Sequence, residues 1–98
     1  MFVLHIDLPA KPGQHKDLEQ TFLNNFRPAI SSKEGFIETQ LLRSIDDETN
    51  FCLTIAFDKE ESQQKWVETD LHQEVWPAIQ DLCTEFSVRK YTATSDTD

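Results

Sequence analysis

Glycine is almost absent from this chain: Gly13 and Gly35 are the only two in 98 residues. A phosphate-cradling loop needs several glycines close together, so nucleotide binding of that kind is excluded. Positive charge is scarce too. Nine Lys and Arg are scattered among eighteen Asp and Glu, for a net charge of −9. Binding to nucleic acid or to an anionic membrane draws on clustered cations, so neither partner is expected, and the acidity serves solubility. No apolar stretch approaches the roughly 20 residues of a membrane span. The opening MFVLHIDLPAKPG has no basic region ahead of its apolar residues. It reads as a strand rather than a signal peptide, and the cytoplasm is the expected location. Cys52 and Cys83 lack metal-site or redox-motif spacing, and both are expected to be reduced core residues. His5, His15 and His72 lie far apart in sequence with no ligand-like cluster, so no metal is expected, and no cofactor either.

What the chain does have is alternation. Phe2, Leu4, Ile6 and Leu8 fall on one side of a period-two pattern, with Val3, His5 and Asp7 on the other, which defines a strand with one apolar face. Pro9 ends it, and Pro12-Gly13 signals a turn. Leu18, Phe22 and Phe26 then recur every four residues, beside Leu23 and Ile30, as in an amphipathic helix. Pro28 is expected to kink or end that helix near Arg27. A second strand is expected over Phe36 to Ile45 and a third over Phe51 to Phe57, joined by the polar connection Asp46 to Asn50.

The segment Phe51 to Ile79 is the densest in chemistry. Asp58-x-x-Glu61 matches a helix start, with the Asp58 carboxylate expected to accept from early backbone N–H groups. That helix carries Trp66. Asp70 opens another, which carries His72 and Trp76 above an apolar stripe of Leu71, Val75, Ala78, Ile79 and Leu82. Pro77 is expected to bend it locally. Phe86 and Val88, with Lys90, alternate against Ser87, Arg89 and Tyr91 as a fourth strand.

The order β-α-β-β-α-β predicts an α+β, ferredoxin-like fold with a four-stranded antiparallel sheet and helices on one face. Residues 1–93 are expected to form a single domain and 94–98 a polar tail. The other sheet face would carry Val3, Cys52, Ala56 and Tyr91 beside His5, Asp7 and Thr54. That mixture suits a face-to-face homodimer.

Pro12-Gly13, Gly35-Phe36, Leu41-Leu42-Arg43-Ser44, Asp46-Asp47, Phe57 to Lys59, Trp66 and Asp70-Leu71-His72 occur in an order that resembles the antibiotic biosynthesis monooxygenase family. The resemblance covers roughly residues 2–93. It implies a homodimeric α/β barrel with a pocket between helices and sheet in each subunit. It also implies oxidation of quinols or polyketide-like aromatics by O2 without metal, flavin or haem. A related branch degrades haem with an Asn on the first strand, a Trp and an axial His. Trp66 matches that Trp, but the first strand here has no Asn and the His would be expected near Trp76 rather than at His72.

His72 is the candidate catalytic residue. Its imidazole titrates near neutrality and could take a proton from a phenol or quinol, or it could simply bond between helices. Trp66 and Trp76 could wall a flat aromatic substrate or pack in the core. His5 and Asp7 are a pocket acid–base pair or polar residues at a dimer seam. Arg43 could neutralise an enolate or carboxylate, or pair with Asp46 or Asp47. Tyr91 is a remaining acid–base side chain for which packing is the simpler role.

Three functions follow. The first is a cofactor-independent monooxygenase acting with O2 on a small phenolic, quinol or polyketide-like aromatic substrate. The second is a non-catalytic barrel that binds a small hydrophobic molecule. The third is haem degradation.

Overall fold

The computed structural model describes residues 1–94. The tail expected over 94–98 lies, beyond Thr94, outside the described residues. Four strands form one sheet: β1 (Phe2–Pro9), β2 (Phe36–Arg43), β3 (Asn50–Phe57) and β4 (Ser87–Thr92), in the order β2-β3-β1-β4 with every neighbouring pair antiparallel. The helices α1 (His15–Thr21), α2 (Arg27–Ser31), α3 (Glu60–Val67) and α4 (Asp70–Gln80) complete the expected βαββαβ order. The sheet is open, not closed into a barrel.

Register carries the alternation of β1 across the sheet. His5 pairs with Thr54 on β3 and Arg89 on β4; Leu4 pairs with Ile55 and Lys90. Strand neighbours share a face, so Leu4, Ile6, Leu53 and Ile55 all face the helices. There they form one core with Leu18, Phe26, Ile30 and Ile79. Full burial of such side chains stabilises by about 1.5–3 kcal/mol each. The opposite face carries Val3, His5, Asp7, Cys52, Thr54, Ala56, Arg89 and Tyr91. Cys52 is therefore only half-buried, on the open face rather than in the core, whereas Cys83 is buried; both are free thiols. Burial pushes both thiols above their ordinary pKa, and Asp7 adds to the effect at Cys52.

The α3 cap departs from expectation, and both prolines lie within helix. Pro28 does not end the first helix. A π-helical turn over Phe22–Phe26 precedes it, and helix continues through α2 to Ser31. Proline has no N–H to give the preceding turn, and the wider π turn is how the chain passes that point while Phe22 and Phe26 both stay buried. Pro77 likewise lies within a continuous α4. Asp58 does not cap α3, whose N-cap is Lys59 with no side-chain bond. Its carboxylate bonds instead to the Ser62 hydroxyl and the Lys59 backbone, which holds it below the usual carboxylate range.

The β2–β3 connection is organised by Asp47, whose carboxylate accepts from the Thr49 backbone N–H at 3.0 Å and hydroxyl at 2.7 Å. Gly35, just before β2, has φ +81, and a Cβ there would meet Asp58 Oδ1 and lie 2.6 Å from Ser62 Oγ.

Candidate functional site

Thr69 joins the two helices that build the site. Its hydroxyl donates to the Trp66 carbonyl at 2.7 Å and accepts from the His72 N–H at 3.2 Å. One side chain thus closes the last turn of α3 and caps the first turn of α4. That short bend brings the Trp66 and His72 rings together although they sit on different helices.

Five aromatic rings follow in contact. Phe26 meets Trp66 edge-on at 6.1 Å, and Trp66 meets His72 near-perpendicular at 5.1 Å. His72 stacks on Trp76 at 6.4 Å, and Trp76 meets Phe86, just before β4, at 5.4 Å. These rings border a cavity of about 500 Å³ between α3, α4 and the β4 side of the sheet. Leu4 and Ile6 of β1 and Ile55 of β3 form its floor; Gln64 and Glu68 lie on the α3 side; Val88 and Lys90 bring in β4. Volume and lining suit a small aromatic ligand with a few polar groups. Lys90 is held by Glu60 at 3.0 Å.

Trp66 is buried at 2% exposure, so it is a core residue that also walls the cavity, while Trp76 is half-buried. Burial lowers the His72 pKa below its ordinary value, which keeps the ring uncharged at neutral pH. Gln73 Nε2 sits 3.4 Å from His72 Nδ1. Among the described residues nothing bonds His72 Nε2, and that atom is not sealed from solvent.

The sequence brings together Trp66, His72 and Trp76, and the structure joins them in one wall. It does not bring His5, Asp7 or Arg43 to this cavity. Period two places His5 and Asp7 opposite Leu4 and Ile6, on the open sheet face. There His5 packs on Tyr91 at 4.9 Å between centroids, and Asp7 pairs with Arg89 at 3.3 Å. Arg43, at the end of β2, reaches Glu19 on α1 at 3.5 Å rather than Asp46 or Asp47. Asp7 and Arg43 border a shallow depression with Cys52, apart from the aromatic wall. Phe86, Lys90 and Gln73 were not among the expected site residues. Phe86 and Lys90 reach the site only because β4 pairs with β1, more than eighty residues away in sequence. Among the described residues no three of His, Cys, Asp or Glu are grouped to hold a metal ion.

The family model described as antibiotic biosynthesis monooxygenase matches residues 1–77. The chain belongs to the antibiotic biosynthesis monooxygenase family. Solved structures share its monooxygenase-type fold at low identity. One is a variant of SnoaB, a cofactor-independent oxygenase from Streptomyces nogalater, at TM-score 0.86 and 15% identity over 95% of this chain and 92% of that one. Another is a candidate antibiotic biosynthesis monooxygenase from Nitrosomonas europaea, at TM-score 0.83 and 20% identity over 96% and 99%. A conserved protein from Methanosarcina mazei matches at TM-score 0.82 and 13% identity over 92% and 89%. No curated protein matches the sequence. The residues matched by the family model include Trp66 and Asp70-Leu71-His72. The wall contributed by β4 lies outside them.

Proposed function

We propose that this protein is a cofactor-independent monooxygenase for a small phenolic, quinol or polyketide-like aromatic substrate. The observation that carries the reading is the aromatic wall Trp66–His72–Trp76 on a cavity of about 500 Å³, with an uncharged imidazole in its middle. The fold shared with SnoaB, a cofactor-independent oxygenase, supports it.

The chemistry needs only an ionised substrate and O2. An anthrone, the keto form of a phenol with a free para carbon, is electron-rich once it has lost a proton and passes one electron to O2. The substrate radical and superoxide combine to a peroxide, which takes up a proton. Loss of water then converts a CH2 centre to C=O, with one oxygen atom in product and the other in water. The indoles exclude water and hold the ring flat, and His72 meets the substrate oxygen that becomes anionic. Haem degradation has less support, because His72 stacks on Trp76 at 20° between planes and β1 carries no Asn.

The open sheet face is read as a homodimer seam in the cytoplasm. Val3, Cys52, Ala56 and Tyr91 make it too apolar to stay wet, and a stable interface buries about 1,200–2,000 Å² in total. No described helix is long and apolar enough to cross a membrane.

Oxygen consumption with a panel of quinols and anthrones tests the reading. Consumption that requires both protein and substrate supports it. Tight binding of the same compounds without consumption makes the protein a binder instead.

A further inference from the structure

Gln73 makes two contacts, one to the end of α3 and one to His72. Its Nε2 lies 3.0 Å from the Val67 carbonyl at the end of α3. A carbonyl only accepts, so the Gln73 amide must present its NH2 there; turned over, it would face oxygen with oxygen. The same NH2 has a second hydrogen, and His72 Nδ1 is 3.4 Å away. A proton on Nδ1 would set hydrogen against hydrogen. The uncharged ring meets this donor with the Nδ1 lone pair and carries its own proton on Nε2.

We propose that Gln73 is a positioning residue that fixes the Nε2–H tautomer of His72, so that His72 donates a hydrogen bond to a substrate oxyanion and does not act as the base. This rests on the cavity being the substrate site. Its consequence is that the phenolic or enolic substrate is bound as its anion, its proton having gone to water and not to His72. The charged groups around the ring fit that role. Glu68, beyond α3, and Lys90 of β4 line the same cavity, and Lys90 is engaged by Glu60. Among the described residues no carboxylate bonds the imidazole, so none is placed to take an Nδ1 proton or to stabilise an imidazolium. The Nε2 position is open to a ligand, whereas Nδ1 is occupied by protein.

The test is 15N NMR of histidine-labelled protein, with the His72 signals assigned by their loss in His72→Ala. In the wild type above the His72 pKa, an unprotonated Nδ1 and a protonated Nε2 are expected. A protonated Nδ1 would overturn the proposal. Uncharged imidazole in water already favours the Nε2–H form, so the decisive arm is Gln73→Glu. Its carboxylate accepts where the amide donated, and is expected to move the proton to Nδ1 and raise the His72 pKa. In Gln73→Ala the donor is simply lost, and the pKa is expected to rise by about half to one unit. Gln73 is exposed, so both variants are expected to fold. A tautomer and titration unchanged in both variants would remove Gln73 from the role. These readouts need no substrate. Their failure leaves the oxygenase reading standing, and a failure of oxygen consumption leaves the tautomer assignment standing.

Discussion

The His72 imidazole stands nearly perpendicular to the Trp66 indole, with ring centroids 5.1 Å apart and 85° between planes. The contact exists because the Thr69 hydroxyl ties the carbonyl of one residue to the N–H of the other. A deeply buried core side chain therefore sets the place of a polar side chain that lines a cavity. This arrangement separates packing from chemistry and makes the two separately testable.

The two tryptophans should respond differently to truncation. Trp66→Ala empties a deeply buried site and is expected to cost about 3–5 kcal/mol. Trp76 is half-buried, and Trp76→Ala should cost less than about 2 kcal/mol while weakening the binding of a flat aromatic ligand. Denaturant melts paired with ligand titration check this. Equal stability losses in the two variants would contradict the assignment of Trp76 as a wall rather than core.

Burial lowers the His72 pKa below its ordinary value of 6.5. The unfolded chain then binds the proton more tightly than the fold does, so stability rises with pH through this group. The contribution is fully present above the unfolded pKa and fades as pH falls below it toward the folded value. Melting temperatures of the wild type and His72→Gln, compared from about pH 7.5 down to about pH 5, should show the wild type losing ground as the solution becomes more acidic. A constant difference across that window would remove the burial argument.

Gly35 and Gly13 both have positive φ, at +81° and +76°, yet only Gly35 is crowded. Gly13→Ala pays the left-handed backbone cost alone, roughly 1–2 kcal/mol. Gly35→Ala adds a Cβ driven against Asp58 and Ser62, at the junction that leads into α3, and should destabilise by clearly more. Chemical melts of the two variants give the comparison directly. Equal losses would show that the Asp58–Ser62 pair gives way freely.

Thr54 lies at the centre of the open sheet face, opposite His5. If that face is a homodimer seam, the wild type is a dimer at micromolar concentration. Thr54→Arg places a long cation there on each copy, and should yield a monomer with an unchanged circular dichroism spectrum. Light scattering reads both states. A monomeric wild type would end the dimer reading.

The sheet was legible because its signal is local. The alternation of β1 separates Leu4 and Ile6 from His5 and Asp7, and the same alternation in β3 pairs with it. That separation also placed His5 and Asp7 on the face away from the cavity. The wall was half legible: Trp66, His72 and Trp76 fall within eleven residues of sequence. Phe86 and Lys90 were not, since the pairing of β4 with β1 is a long-range event that no local pattern encodes. Pro28 marked the place of an irregularity but not its form: the helix does not end there, and the π turn before it keeps Phe22 and Phe26 buried. Asp58 misled: its spacing to Glu61 matches a capping box, but the hydroxyl of Ser62 captured the carboxylate. Gln73 gave no signal at all, because its meaning lies in two distances.

The central claim is that the aromatic cavity supports oxidation by O2 with His72 holding the substrate anion. Oxygen uptake with a quinol and anthrone panel, run on the wild type and a well-folded His72→Ala, tests it most directly. The account predicts protein-dependent uptake, with one atom of O2 in the quinone formed from an anthrone; a quinol would give its quinone with no atom of O2 and hydrogen peroxide as the other product. It also predicts a loss of about 10²–10³ in rate without His72, the scale for removing one oxyanion donor. Wild-type protein that binds these compounds without consuming oxygen, or a His72→Ala variant that turns them over at the wild-type rate, would contradict it.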